Sequence, residues 1–184
     1  MLAVIEREKL PVADARAGSS EAWDVLFQRY QLPLYAYVFE LVHAEQPSLD
    51  IVQETFIAAT RHIQSLRDED RFGSWLFGIA HQKCIQHWRR NGREEPLDAD
   101  FAETWHSTDE DPSELLVREE QEAEFMKILH HLPPAQREAL LLHFVEDFSL
   151  DEIARITNTS PGTVKSRLHY AKKTLRKLLQ DPTS

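Results

Sequence analysis

A single cysteine, Cys84, among 184 residues rules out an internal disulfide and a cysteine-rich zinc site. Long apolar runs are missing as well: nothing approaches the ~20 consecutive apolar residues of a membrane-spanning helix. Residues 1–16 lack the apolar core of a secretory signal. A cytoplasmic protein without membrane insertion is therefore expected. The alternating Val, Ile and Thr runs that strands need are scarce. Apolar residues recur instead at spacings of three and four, so the expected fold is all-α. The chain has neither a Gly-rich phosphate loop nor a nucleophile with a partnering base, which argues against an enzyme and against a cofactor.

Positive charge is also short overall, with a formal net charge of −10 at pH 7. The deficit is uneven. Residues 1–95 hold 11 Lys or Arg against 14 Asp or Glu, residues 96–122 hold 1 against 10, and residues 123–184 hold 9 against 7. The acidic middle carries Pro96 and Pro112 and shows no apolar period before Leu115. It reads as a flexible linker, with a helix expected to begin near Ser113. The expected organisation is two small helical domains, 1–95 and 123–184, joined by the acidic linker 96–122. Each is long enough to bury a modest core.

The C-terminal third has the most specific local chemistry. Ser149, followed three residues later by Glu152, forms a capping box, in which hydroxyl and carboxylate each satisfy an orphaned amide at a helix start. Asn158, Thr159 and Ser160 suit a turn, and Pro161 suits the first position of the next helix because its missing N–H would be unpaired there anyway. In that helix Val164, Leu168, Ala171, Leu175 and Leu178 make one apolar stripe. Ser166, His169, Tyr170, Lys173 and Lys177 fall opposite it, and Lys165, Arg167 and Lys172 lie nearer its flanks. Between Thr163 and Leu179 there are six Lys or Arg and no acid. A merely solvated helix would carry carboxylates too. A helix dry on one side and cationic on the other fits the DNA major groove, where side chains read base edges and phosphates hold the register.

The segment SPGTVKSRLHYAKKTL, with the preceding LPPAQREALLLHFVEDFSLDEIA, resembles region 4 of the sigma-70 family of RNA polymerase sigma factors, in its compact extracytoplasmic-function group. The resemblance implies that Thr163, Lys165, Ser166, Arg167, His169, Tyr170, Lys172 and Lys173 meet the minus-35 promoter element. Tyr170 stands where the group often carries a basic residue.

In the N-terminal half, Trp23, Phe27, Tyr30 and Leu34 recur at helical spacing and read as core, with Pro33 expected to kink or end their helix. A second helix is expected from Ser48 as N-cap, with Leu49, Val52, Phe56, Ala59 and Ile63 as its seam and Asp50, Gln53 and Glu54 away from it. A third is expected from about Phe72, burying Phe72, Trp75, Leu76, Ile79 and Ala80 and ending in Trp88, Arg89, Arg90 and Asn91 before Gly92. Basic residues there also suit the helix dipole.

LDIVQETFIAA and FGSWLFGIAHQKCIQHWRR are similar to the two halves of sigma region 2. That implies docking on core RNA polymerase through Asp50, Gln53 and Glu54. It also implies capture of the melted minus-10 strand by Ser65, Leu66, Arg67 and Asp68 of a specificity loop, and by Gln82, Trp88, Arg89 and Arg90. The group often has Asn and Asp where this chain has Gln82 and Gln86. In the family the linker threads through the polymerase near the RNA exit path, although charge alone describes a solvated spacer.

His81, Cys84 and His87 share one side of the third helix, but three turns of one helix rarely close a tetrahedral site, and no metal is expected. The function implied is that of a sigma factor directing core polymerase to promoter DNA and helping to open the minus-10 element, with a cognate anti-sigma factor as a further partner. Two other readings remain open: a helix-turn-helix regulator whose N-terminal half senses or dimerises, and a sigma mimic that titrates an anti-sigma factor. The organisation has a direct test. Limited proteolysis should cut first within residues 96–112 and release two folded helical fragments, observed by mass spectrometry and circular dichroism. Unfolding of both fragments on cleavage would refute the division.

Overall fold

The computed structural model describes residues 10–92 and 129–180. The acidic segment 96–122 and the helix expected near Ser113 lie outside the described residues. The chain divides into two compact units, Met1–Gln86 and His87–Ser184. Every element among the described residues is an α-helix or a 3-10 turn, and none of these helices is long and apolar enough to cross a membrane.

The first unit opens with a single turn, α1 (Val12–Arg16), too short to stand alone. Its Val12 and Ala15 are buried, and the Trp23 indole donates to the Ala15 carbonyl at 3.2 Å. Gly18 at φ 97° makes the reversal that follows, a conformation costly for any residue with a Cβ. The long helix α2 (Ser20–Val42) is capped by Ser19, whose Oγ accepts from the Ala22 amide at 3.2 Å. Its own backbone amide, then the hydroxyls of Ser19 and Ser20, hold the Glu21 carboxyl below its ordinary value.

Of the two outcomes expected at Pro33, a kink or an end, the helix does not end there: α2 continues for nine residues to Val42. An interior proline costs about 3 kcal/mol. Leu34, Tyr37 and Val38, buried just beyond it, offset that, because each large apolar side chain contributes roughly 1.5–3 kcal/mol. The buried line of α2 is Ala22, Leu26, Tyr30, Leu34, Tyr37 and Val38. Phe27, expected in the core, is 42 % exposed and leans on Phe56 with ring centroids 4.8 Å apart. It sits one residue past Leu26, about 100° round the helix.

Helix α3 (Glu45–His62) begins three residues before the expected cap. Pro47 fits in its first turn, where amides have no intrahelical acceptor. Ser48 is buried inside the helix and donates to the Ala44 carbonyl at 2.7 Å, so it is not the N-cap. The seam of Val52, Phe56, Ala59 and Ile63 is buried, joined by Ile51 and Thr55, while Leu49 lies at its edge and is exposed. Two 3-10 turns, Ile63–Ser65 and Glu69–Arg71, lead into α4 (Phe72–Arg90).

Phe72 meets Tyr30 at 5.6 Å and Trp23 at 6.3 Å, and Phe77 meets Tyr37 at 5.3 Å, so aromatic contacts join α4 to α2. Leu76 and Ala80 are buried as expected, whereas Trp75 and Ile79 are half-buried. Buried His81 bonds through Nδ1 to the Tyr37 hydroxyl at 2.9 Å, Cys84 is buried, and His87 meets Asn91 at 2.9 Å. No group of three His, Cys, Asp or Glu among the described residues is placed to hold a metal.

The second unit contains α5 (Pro134–Val145), α6 (Leu150–Ile156) and α7 (Pro161–Gln180), each packed on the other two. Its corners are local chemistry. Asp147 and Asn158 adopt φ of 54° and 51°, a left-handed conformation that short polar side chains tolerate best among residues other than glycine. The capping box forms: the Glu152 amide donates to Ser149 Oγ at 3.3 Å, and the Ser149 amide to the Glu152 carboxylate at 3.0 Å. At the other end of α6 the Thr159 amide reaches back to the Ala154 carbonyl at 2.9 Å, closing a Schellman turn. Ser160 Oγ then accepts from the Thr163 amide at 3.1 Å and caps α7.

Because α6 is only 7 residues long, its termini dominate its stability. Ser149→Ala should lower the unfolding free energy measured in urea by about 1 kcal/mol, with Ser149→Asp restoring most of it. An unchanged midpoint for Ser149→Ala would show that the box carries no weight.

Candidate nucleic-acid interface

The face of α7 follows from what it buries. Val164, Leu168 and Ala171 are 0 %, 5 % and 0 % exposed, packed toward α5 and α6, whereas Leu175 and Leu178 are only half-buried. With that stripe inward, Ser166, His169, Tyr170, Lys173 and Lys177 are all exposed. Thr163, Lys165 and Lys172 are exposed on the flanks, and Arg167 is half-buried. Tyr170 stands out at 55 % exposure, its ring edge-on to His169 at 5.5 Å. Lys172 lies over the ring of Phe144 on α5, 5.4 Å from its centroid, a cation–π contact that ties the flank of α7 to α5. Phe144 is itself 60 % exposed. This contact is invisible to the sequence pattern, because helical spacing cannot say which residue of α5 meets α7. Such a surface can meet a polyanion with cations at its sides and short polar or aromatic groups at its centre.

In the first unit, Asp50, Gln53 and Glu54 share one exposed face of α3, at the spacing that makes helix neighbours. Two are already engaged. Gln46 donates to Asp50 at 3.1 Å, and Lys83 of α4 pairs with Glu54 at 3.0 Å. Lys83 escaped the sequence reading because its partner lies 29 residues away.

The segment between α3 and α4 sorts into foundation and surface. Leu66 is 7 % exposed, its side chain part of the core. Ser65 is exposed and donates to the His62 carbonyl at 2.7 Å. Asp68 uses both carboxylate oxygens within the loop, accepting from the Asp70 amide at 3.1 Å and pairing with Arg71 at 3.0 Å. Arg67 is exposed. Along α4, Gln82, Gln86 and Arg89 recur on one exposed stripe, with Arg90 beside it. Trp88 is 2 % exposed. Leu66 and Trp88, expected at the minus-10 strand, are buried here, so their side chains offer almost no free surface, unlike the other residues expected at that strand.

The chain has counterparts among known proteins. The Sigma-70 region 2 model matches residues 26–94, and the Sigma-70, region 4 model matches residues 122–175. The RNA polymerase sigma-H factor of Pseudomonas aeruginosa is 32 % identical over 183 residues, covering 95 % of each chain. The ECF RNA polymerase sigma-E factor of Haemophilus influenzae is 30 % identical over 177 residues, 92 % of this chain and 93 % of its own. Among solved structures, the sigma factor RpoE in complex with the anti-sigma factor NepR from Bartonella quintana is similar at a TM-score of 0.59 and 29 % identity, covering 84 % of this chain and 96 % of that one. With both regions present in order, and a relative above 30 % identity along nearly its whole length, the chain belongs to the sigma-70 family of RNA polymerase sigma factors, in its extracytoplasmic-function group.

Proposed function

We propose that this protein is a promoter-specificity subunit, which recruits core RNA polymerase to a paired minus-35 and minus-10 promoter and helps to open the latter. The observation that carries the reading is the co-occurrence of regions 2 and 4 in one chain, the second built on a helix whose exposed arc is cationic and free of acids. In this reading region 2 occupies 1–95, the linker 96–122 and region 4 123–184. Asp50, Gln53 and Glu54 meet a basic surface of the polymerase, where charge-assisted pairs with Arg reward carboxylates. Ser65, Arg67, Asp68, Gln82, Arg89 and Arg90 face the melted minus-10 strand. The exposed residues of α7 face the minus-35 duplex.

The protein carries no chemistry of its own in this scheme and works in the cytoplasm beside the polymerase. A net charge of −10 opposes a polyanion, so promoter affinity belongs to the complex with polymerase. A cognate anti-sigma factor is the expected antagonist. Transcription reconstituted from purified core enzyme separates this reading from its rivals. The sigma reading expects initiation at a defined start site only when the chain is added. A helix-turn-helix regulator or a sigma mimic would leave core enzyme without a start site.

Base preference at minus-35 depends on the middle of α7. A phenol suits a thymine methyl or a single hydrogen bond, whereas Arg pairs bidentately with guanine, worth ~1–3 kcal/mol of discrimination. Tyr170→Arg should shift the preferred minus-35 bases toward guanine in a randomised-promoter selection while the minus-10 preference stays put. An unaltered minus-35 preference would remove Tyr170 from the base-reading set.

A further inference from the structure

The short helix α1 is tied to the segment between α3 and α4, about fifty residues further along the chain. Arg16, the last residue of α1, donates through Nη2 to the Leu66 carbonyl at 2.8 Å and through Nη1 to Glu69 Oε1 at 3.1 Å. The link is reciprocal, because the Gln64 side-chain amide donates to the Arg16 carbonyl at 2.9 Å. Contacts from one residue thus hold the loop at Gln64, Leu66 and Glu69, across about fifty positions of sequence. The planar guanidinium fork makes the two bonds at once in a fixed relative geometry, which a rotatable ammonium does not.

The anchor is itself fixed. Val12 and Ala15 bury α1, and Trp23 holds the Ala15 carbonyl while its ring meets Phe72, the first residue after the loop. Between the anchored points lie Arg67 and Asp68. Asp68 is consumed by Asp70 and Arg71, and Leu66 is sunk in the core. Arg67 is left exposed, with no ion pair or side-chain hydrogen bond among the described residues. The Arg16–Glu69 pair is part-exposed, at 28 % and 33 %, so its contribution to stability is small. Its consequence is geometric: it selects one path for the backbone on either side of Arg67.

We propose that Arg16 is a positioning residue for minus-10 recognition, through which α1 fixes the direction in which the loop presents Arg67. The proposal rests on the sigma reading of that loop. The test uses holoenzyme assembled from core polymerase and the full chain, with a promoter library randomised at both elements, and compares Arg16→Ala, Arg16→Lys, Arg67→Ala and the Arg16→Ala/Arg67→Ala double variant. Arg67→Ala should flatten the preference at one minus-10 position. Arg16→Ala should weaken the same preference about five-fold, the scale of one net hydrogen bond, with minus-35 preference and core affinity unchanged. The double variant should lose no more than Arg67→Ala alone, since the two act as one unit. Arg16→Lys, which keeps the charge beside Glu69 but not the fork, should fall between wild type and Arg16→Ala, and it supplies the readout if Arg16→Ala fails to fold.

Loss at minus-10 with Arg67→Ala but wild-type behaviour of Arg16→Ala and Arg16→Lys would overturn the positioning role and leave the loop reading intact. No change with Arg67→Ala would remove the loop reading, and the proposal with it. Additive losses in the double variant, or a parallel drop in core affinity or minus-35 preference for the Arg16 variants, would mark Arg16 as a general structural residue and equally overturn the proposal.

Discussion

One-sided burial of α7 is the constraint on which the second unit depends. Val164, Leu168 and Ala171 are close to fully buried toward α5 and α6. Each large apolar side chain removed from water contributes roughly 1.5–3 kcal/mol, more than a single exposed charge contact offers. The helix therefore cannot roll to suit its charges. The charges must suit the roll, and the arc through Ser166, His169, Tyr170 and Lys173 faces outward as a result. The corners at Asp147 and Asn158, the capping box and the Schellman turn set where each helix starts and stops, so local backbone chemistry fixes what the stripe then orients.

The first unit solves a different problem, because its surface includes a loop as well as helix faces. Its core is aromatic: Phe72 meets Tyr30 and Trp23, and Phe77 meets Tyr37. Those contacts fix where α4 begins, which fixes the far end of the segment that follows α3. Buried Leu66 and the bonds from Arg16 fix its middle. Loops are ordinarily the least determined part of a fold, and function gathers on them when a rigid scaffold holds them. Here the scaffold extends to a five-residue helix that would be marginal without Trp23.

Acidity and DNA recognition coexist because they are separated along the chain. The deficit of positive charge lies mostly in residues 96–122, while the exposed arc of α7 contains no acid. On α3, Asp50 and Glu54 occupy an exposed face with a Gln between them, and Lys83 satisfies one carboxylate internally. A protein that reaches DNA as part of a larger assembly has no need of net positive charge. Carboxylates that repel a polyanion then become available for a basic protein partner.

Signals carried within a few residues were legible in the sequence alone. The capping box at Ser149 and Glu152, Pro161 at the head of α7, the stripe of Val164, Leu168 and Ala171, and the start of α4 at Phe72 all depend on neighbours within one or two turns. The motifs of regions 2 and 4 were legible for the same reason. Tertiary structure decided the rest. A helical period marks an apolar face only to within about one residue, or 100°, so burial in the assembled unit chose Leu26 over Phe27 for the core. Burial beyond Pro33 carried α2 past a residue that locally stops helices. Ser48, Leu66 and Trp88 were claimed by the interior, and Arg16 found its partners some fifty residues away. Local sequence specifies where a helix begins and which side is apolar; only the packed neighbours choose the centre of that side, because burial is a property of the assembled surface.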